Sequence, residues 1–133
     1  MATLFEKLNL KEHQEIVVLS APESFEPELA RLPVPTIHRD LKSVAQIRFS
    51  LAFVTRQNEV DALTGQVAKL AKGDAAIWFA YPKGTSKKLK CDFNRDTGWD
   101  ALKAAGFDTV RAIAIDEDWT ALRFRRAEFI RRK

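Results

Sequence analysis

A chain of 133 residues, 46% of them hydrophobic, is long enough to bury one substantial core and too short for two. Lys and Arg number 22 against 18 Asp and Glu, a net charge of +4, which favours anionic partners only weakly and makes the placement of charge matter more than its sum. A lone cysteine, Cys91, excludes an intrachain disulfide and a cysteine-based metal site, and no apolar run approaches the roughly 18 residues that cross a bilayer.

The opening residues, MATLFEKLNLKEHQE, interleave charges with apolar side chains and do not read as a secretory signal, so a cytoplasmic protein is expected. Leu4, Phe5 and Leu8 recur at helical spacing and predict a short helical lead-in over 1–15. Ile16-Val17-Val18-Leu19 is a continuous apolar run, the habit of a parallel strand covered on both faces. Ser20-Ala21-Pro22-Glu23 suits a turn into a helix, and Pro27 limits that helix to a short or broken one ending near Leu32. Pro33-Val34-Pro35 is an extended connector to a second, weaker strand at 36–39, which ends near Asp40. Residues 47–54 (IRFSLAFV), β-branched and aromatic, predict a third strand.

Thr55 is placed to cap a helix whose apolar stripe is Val60, Leu63, Val67 and Leu70, closed by Lys69, Lys72 and Gly73. Residues 75–81 (AAIWFAY) predict the fourth strand, stopped by Pro82 and followed by a loop carrying Lys83, Lys87, Lys88 and Lys90. Asn94 or Asp96 then caps a helix with Trp99, Leu102 and Phe107 inward and Gly106 at its end. Strands at 110–115 and 119–129 flank the turn Asp116-Glu117-Asp118, too short a connection for a crossover, so the last strand is antiparallel to the fifth. The order predicts one α/β domain over 1–133, a compact three-layer sandwich with a mainly parallel sheet and an antiparallel C-terminal edge strand.

In open α/β sheets ligands bind outside the carboxyl ends of the parallel strands. That rule selects Ser20 after the first strand, Asp40 after the second, Thr55 after the third, Tyr81 and Lys83 at the end of the fourth with Lys87 in its loop, and Asp118, Trp119 and Arg123 beside the acidic turn. The lysines, with Gly84-Thr85-Ser86, offer charge and N–H groups to a phosphate, although the order is not a P-loop and a solvated surface loop explains it too. Asp116, Glu117 and Asp118 offer carboxylates to a cation, against the plainer reading of a polar hairpin turn. Trp99 and Trp119 offer stacking surfaces, against the plainer reading of core aromatics. His13 and His38 lack metal-like neighbours, Cys91 lacks a nucleophile's partners, and Gly-x-Ser-x-Gly is absent. No catalytic or metal-binding residue is therefore assigned. The basic C-terminus (Arg123, Arg125, Arg126, Arg131, Arg132, Lys133) reads either as a charged edge strand or as a nucleic-acid patch without a stacking motif.

Trp78-x-x-x-Pro82-Lys83 with Asp116-Glu117-Asp118-Trp119-Thr120-Ala121-x-Arg123 resembles a family of small bacterial proteins classed as a domain of unknown function. That resemblance covers the second half of the chain and marks Lys83, Asp118, Trp119 and Arg123. The strand and helix order is more broadly similar to the Rossmann-like sheet of class I methyltransferases. There a Gly-rich loop after the first strand approaches S-adenosylmethionine and an acid after the second strand binds its ribose. Asp40 matches that acid, whereas Ser20-Ala21-Pro22-Glu23-Ser24 contains no glycine, which argues against a standard cofactor site. The expected function is accordingly a non-catalytic binding module for an anionic small molecule, a nucleotide-like ligand or an acidic partner, with no cofactor and no membrane. A divergent S-adenosylmethionine-dependent methyltransferase and a ligand-free interaction module, homodimeric through its sheet, are the alternatives.

Overall fold

Ile16, Val17, Val18 and Leu19 are all buried, so the strand they form needs apolar cover on both faces. The computed structural model describes residues 15–30, 36–42, 44–83, 99–116 and 118–130, and supplies that cover. Among these residues the strands are β1 (Glu15–Leu19), β2 (Thr36–His38), β3 (Ile47–Phe53), β4 (Ala71–Pro82), β5 (Phe107–Ala114) and β6 (Trp119–Arg126). They form one sheet in the order β2-β1-β3-β4-β6-β5. The first four strands in that order are parallel, and β6 runs antiparallel to both its neighbours. A 3-10 turn at Glu23–Phe25 leads into α1 (Glu26–Ala30); α2 (Gln57–Leu70), α3 (Asp100–Ala104) and α4 (Ala127–Ile130) follow.

Side chains alternate across the sheet with period two, and each face has its own core. On one face Val17, Ala52, Ile77, Phe79 and Phe124 pack against Val60 and Val67 of α2 and Leu102 of α3. On the other, Ile16, Val18, Leu51, Trp78 and Ala121 pack with Phe25 and Leu29 from the 3-10 turn and α1. The result is the expected three-layer, mainly parallel α/β sheet. No helix among the described residues is long and apolar enough to cross a membrane.

Several expected details differ. The antiparallel strand β6 is not an edge: it lies between β4 and β5, and β5 is the edge. Short connection length predicted the β5–β6 hairpin but not which of its strands docks on β4. Strand β4 begins directly after α2, at Ala71, rather than at Ala75. Its extra residues bulge between the partners of Ile47 and Phe49, and Gly73 takes a left-handed φ of 57° there instead of capping α2. Phe107 opens β5, so it is not on α3. Strand β6 ends at Arg126, and 127–130 turn into a helix. The Arg126 guanidinium donates to the carbonyl oxygens of Ala68 and Ala71 (3.3 and 2.9 Å) and stacks on Phe107 at 4.9 Å, tying β6 and β5 to the end of α2. The lead-in at 1–14, the lysine loop from residue 84 with the Asn94 or Asp96 cap, Glu117 and residues 131–133 lie outside the described residues.

Candidate functional site

Strand β1 is followed in the chain by its neighbour on one side, β2, and then by its neighbour on the other, β3. The reversal of winding therefore lies between β1 and β3, the place where α/β sheets open a crevice. A cleft of about 420 Å³ opens at this end of the sheet, within the usual range for a small-molecule pocket. It is lined by Leu19 and Ser20 after β1, by Arg39, Asp40, Leu41 and Lys42 after β2, and by Leu63 and Gln66 of α2.

Each wall has a local cause. Ser20 adopts φ 57°, the left-handed region that favours glycine, so the chain leaves β1 by a turn that strains a residue with a side chain. Asp40 is exposed and uses Oδ1 to accept from the Lys42 N–H at 3.0 Å, which curls the chain after β2 back over the cleft. Arg39 donates through both terminal nitrogens to the two oxygens of Glu26, each at 2.8 Å, and so fastens the exit of β2 to α1. This hydrogen bonding holds the Glu26 carboxyl below its ordinary value of 4.5, and it raises Arg39 above its own. Leu63 and Gln66 stand on the flank of α2, whose buried stripe is Val60, Thr64 and Val67.

The remaining candidates lie elsewhere. Thr55 stands at the end of β3 and does not cap α2; Arg56 does, in extended backbone. The Glu59 carboxylate accepts instead from the N–H groups of Thr55 and Arg56 (2.8 and 3.0 Å) and from the Thr55 hydroxyl at 3.3 Å. Tyr81 is buried, its ring 5.7 Å from Trp99 in an edge-on contact. Lys83 and Asp118 are brought together by the β4–β6 ladder, the Lys83 N–H donating to the Asp118 carbonyl at 2.8 Å. Asp116 Oδ1 accepts from the N–H groups of Asp118 and Trp119 (2.8 and 2.9 Å), so this carboxylate serves its own turn. Trp119 is buried and meets Phe53 edge-on at 5.0 Å. Arg123 sits opposite Trp78 in mid-strand, well away from the carboxyl edge. Lys87 lies outside the described residues.

Ser20 and Asp40 are thus the two sequence-selected residues that line one cleft. Arg39, Leu41, Lys42, Leu63 and Gln66 were not selected. Leu63 is visible in the helical stripe, but only the packing shows that it borders both the core and the cleft.

No protein-family model matches the chain, and no curated protein does, so the resemblance to a bacterial family of unknown function is unsupported. Solved structures do match. A SAM-dependent methyltransferase from Aquifex aeolicus aligns over 92% of this chain and 87% of its own, at 10% identity and a TM-score of 0.62. The N-methyltransferase NodS from Bradyrhizobium japonicum WM9 aligns over 90% and 78%, at 13% identity and a TM-score of 0.55. The fibrillarin pre-rRNA processing protein of Methanococcus jannaschii aligns over 89% and 68%, at 12% identity and a TM-score of 0.56. At these identities the likeness establishes the fold alone: a Rossmann-like sheet, parallel except for the antiparallel β6 near its C-terminal end. The expectation of a non-catalytic module for an anionic ligand is corrected by this finding, because the matched structures include SAM-dependent methyltransferases. After β1 the chain makes its left-handed turn at Ser20, without a glycine.

Proposed function

We propose that this chain is a divergent methyltransferase-like domain, one unit over 1–133, that holds S-adenosylmethionine in the cleft beside β1 and β2. The observation that carries the reading is the juxtaposition in one cleft of the strained turn at Ser20 and the exposed carboxylate of Asp40, on adjacent parallel strands. The likeness of the fold to SAM-dependent methyltransferases supports the choice of ligand.

The donor set suits the cofactor. A carboxylate accepts from two vicinal ribose hydroxyls, and Asp40 is the carboxylate placed to do so. Leu41 and Leu63 give the cleft apolar walls for a purine, and Gln66 gives it an amide. The left-handed turn at Ser20 bends the main chain where the amino-acid end of the cofactor must be held by backbone groups. When bound, the cofactor supplies an electrophilic methyl group on a sulfonium. Thr55 at the end of β3 and Lys83 at the end of β4 stand farther along the same edge, and in this reading they face the methyl acceptor. The protein works in the cytoplasm.

Titration of the full chain with S-adenosylmethionine and with S-adenosylhomocysteine, followed by thermal unfolding, tests the reading. Binding to the folded state raises Tm with ligand concentration, by about 2.7 kcal/mol of stability at 100 times Kd. Both ligands are expected to produce the shift, and Asp40→Ala to abolish most of it. Absence of any shift at millimolar concentrations of either ligand overturns the proposal.

A further inference from the structure

The two edges of the sheet are unequal. At one side β2 contributes three residues; at the other β5 contributes eight, and among the described residues no strand pairs with its outer side. Thr109, Val110, Arg111 and Ala112 are all exposed, and Val110 is the large hydrophobic residue left in solvent among the described residues, at 37%. A long edge with β-branched residues and open N–H and C=O groups is a template for another strand.

The charges on this edge select the partner. Asp108 lies opposite Arg125 and Arg111 opposite Arg123, while the register slips between Thr109 and Arg111. Val110 is the extra residue at that bulge. It returns Arg111 to the face of the sheet that already carries Asp108, although the two are an odd number of positions, three, apart. Arg111 and Arg123, directly opposed, are like charges, an unfavourable cross-strand pair.

We propose that β5 pairs antiparallel with β5 of a second copy of this chain, about a two-fold axis perpendicular to the sheet at Thr109–Val110. In this register Asp108 of each copy stands opposite Arg111 of the other. A two-fold axis of this kind requires paired residues to share a face, and the bulge at Val110 puts Asp108 and Arg111 on one face. Each Asp108 then also offsets the opposed arginines across the interface. The sheet continues through both copies, and the exposed Val110 side chains meet at the axis. The cofactor cleft lies at the opposite side of the sheet, so this inference stands independently of the proposed activity.

Sedimentation of the full chain over a range of micromolar concentrations tests it. The wild type is expected to dimerise, and more weakly at high salt. Asp108→Arg and Arg111→Asp are each expected to weaken the dimer tenfold or more, and the double exchange D108R/R111D to restore it. A wild type that stays monomeric overturns the proposal, whatever else binds the edge; so does a dimer indifferent to the single reversals. Should a single reversal not fold, hydrogen exchange in the wild type of the β5 amides that do not bond to β6 decides. Protection lost on dilution supports the pairing, and protection independent of concentration overturns it.

Discussion

The carboxyl edge of the parallel strands is open over β1 and β2 and filled over β3 and β4. At the open part, Ser20 and Asp40 face a cleft with Leu63 and Gln66 behind them. At the filled part, Phe53 meets Phe25 at a tilt and Trp119 edge-on, with ring centroids 4.9 and 5.0 Å away, and Tyr81 meets Trp99 edge-on. Both parts obey the same strand geometry. Aromatic rings brought in from the 3-10 turn before α1, from β6 and from the residue before α3 fill one, while no aromatic ring lines the other. An open cleft and a packed aromatic cluster thereby share a single edge.

Substitutions can test that division. The largest effect is expected from Trp119→Ala, which removes a buried ring from the filled part. It should cost about 3–5 kcal/mol in denaturant unfolding, as buried aromatic truncations do. Its effect on S-adenosylmethionine affinity in the protein that remains folded should be small. Asp40→Ala should behave inversely. An exposed carboxylate adds little to folding, but losing a charged hydrogen-bond acceptor should weaken cofactor binding about tenfold or more, about 1.4 kcal/mol, by calorimetric titration. Comparable losses of stability from the two variants would erase the distinction between the parts.

A smaller effect is expected at the entrance to the cleft. Ser20→Gly relieves a left-handed φ, against a glycine's greater freedom when unfolded. A net gain of up to about 1 kcal/mol is expected in chemical unfolding, and a loss instead would show that the Ser20 side chain holds the turn. The smallest concerns the Glu26–Arg39 clasp. Glu26 titrates below 4.5 when folded, so its contribution is present above its unfolded value and is lost as pH falls through the folded one. The Tm difference between wild type and Glu26→Gln should therefore be small at neutral pH, because both groups are exposed, and should vanish in acid.

The sequence shows parts of this arrangement more clearly than others. The runs at 16–19 and 75–81 are almost wholly apolar, and 47–54 is interrupted only by Arg48 and Ser50, because strands covered on both faces need apolar groups on both. The stripe of α2 is legible for the same reason, as one face of a helix turned to a core. Asp40 is legible because a weak strand ends just before it. Trp119 is not, since a tryptophan after an acidic turn reads equally as a rim or a core residue, and only the Phe53 ring beneath it decides. The cleft is not legible either, because Lys42 and Gln66 are 24 positions apart and meet only when α2 folds back over β1.

By itself, then, the sequence pointed to six strand segments, to a mainly parallel sheet, and to Ser20, Asp40, Thr55 and Lys83 at the carboxyl ends of strands. Those properties follow from local hydrophobic pattern and connection length, which act within one element or between neighbours in the chain. Tertiary structure alone decided that β6 enters between β4 and β5, that Trp119 seals one part of the edge, that Ser20 turns left-handed, and that β5 remains at the margin. Each of these depends on which distant side chains compete for the same buried space, and that competition is resolved only when the layers pack.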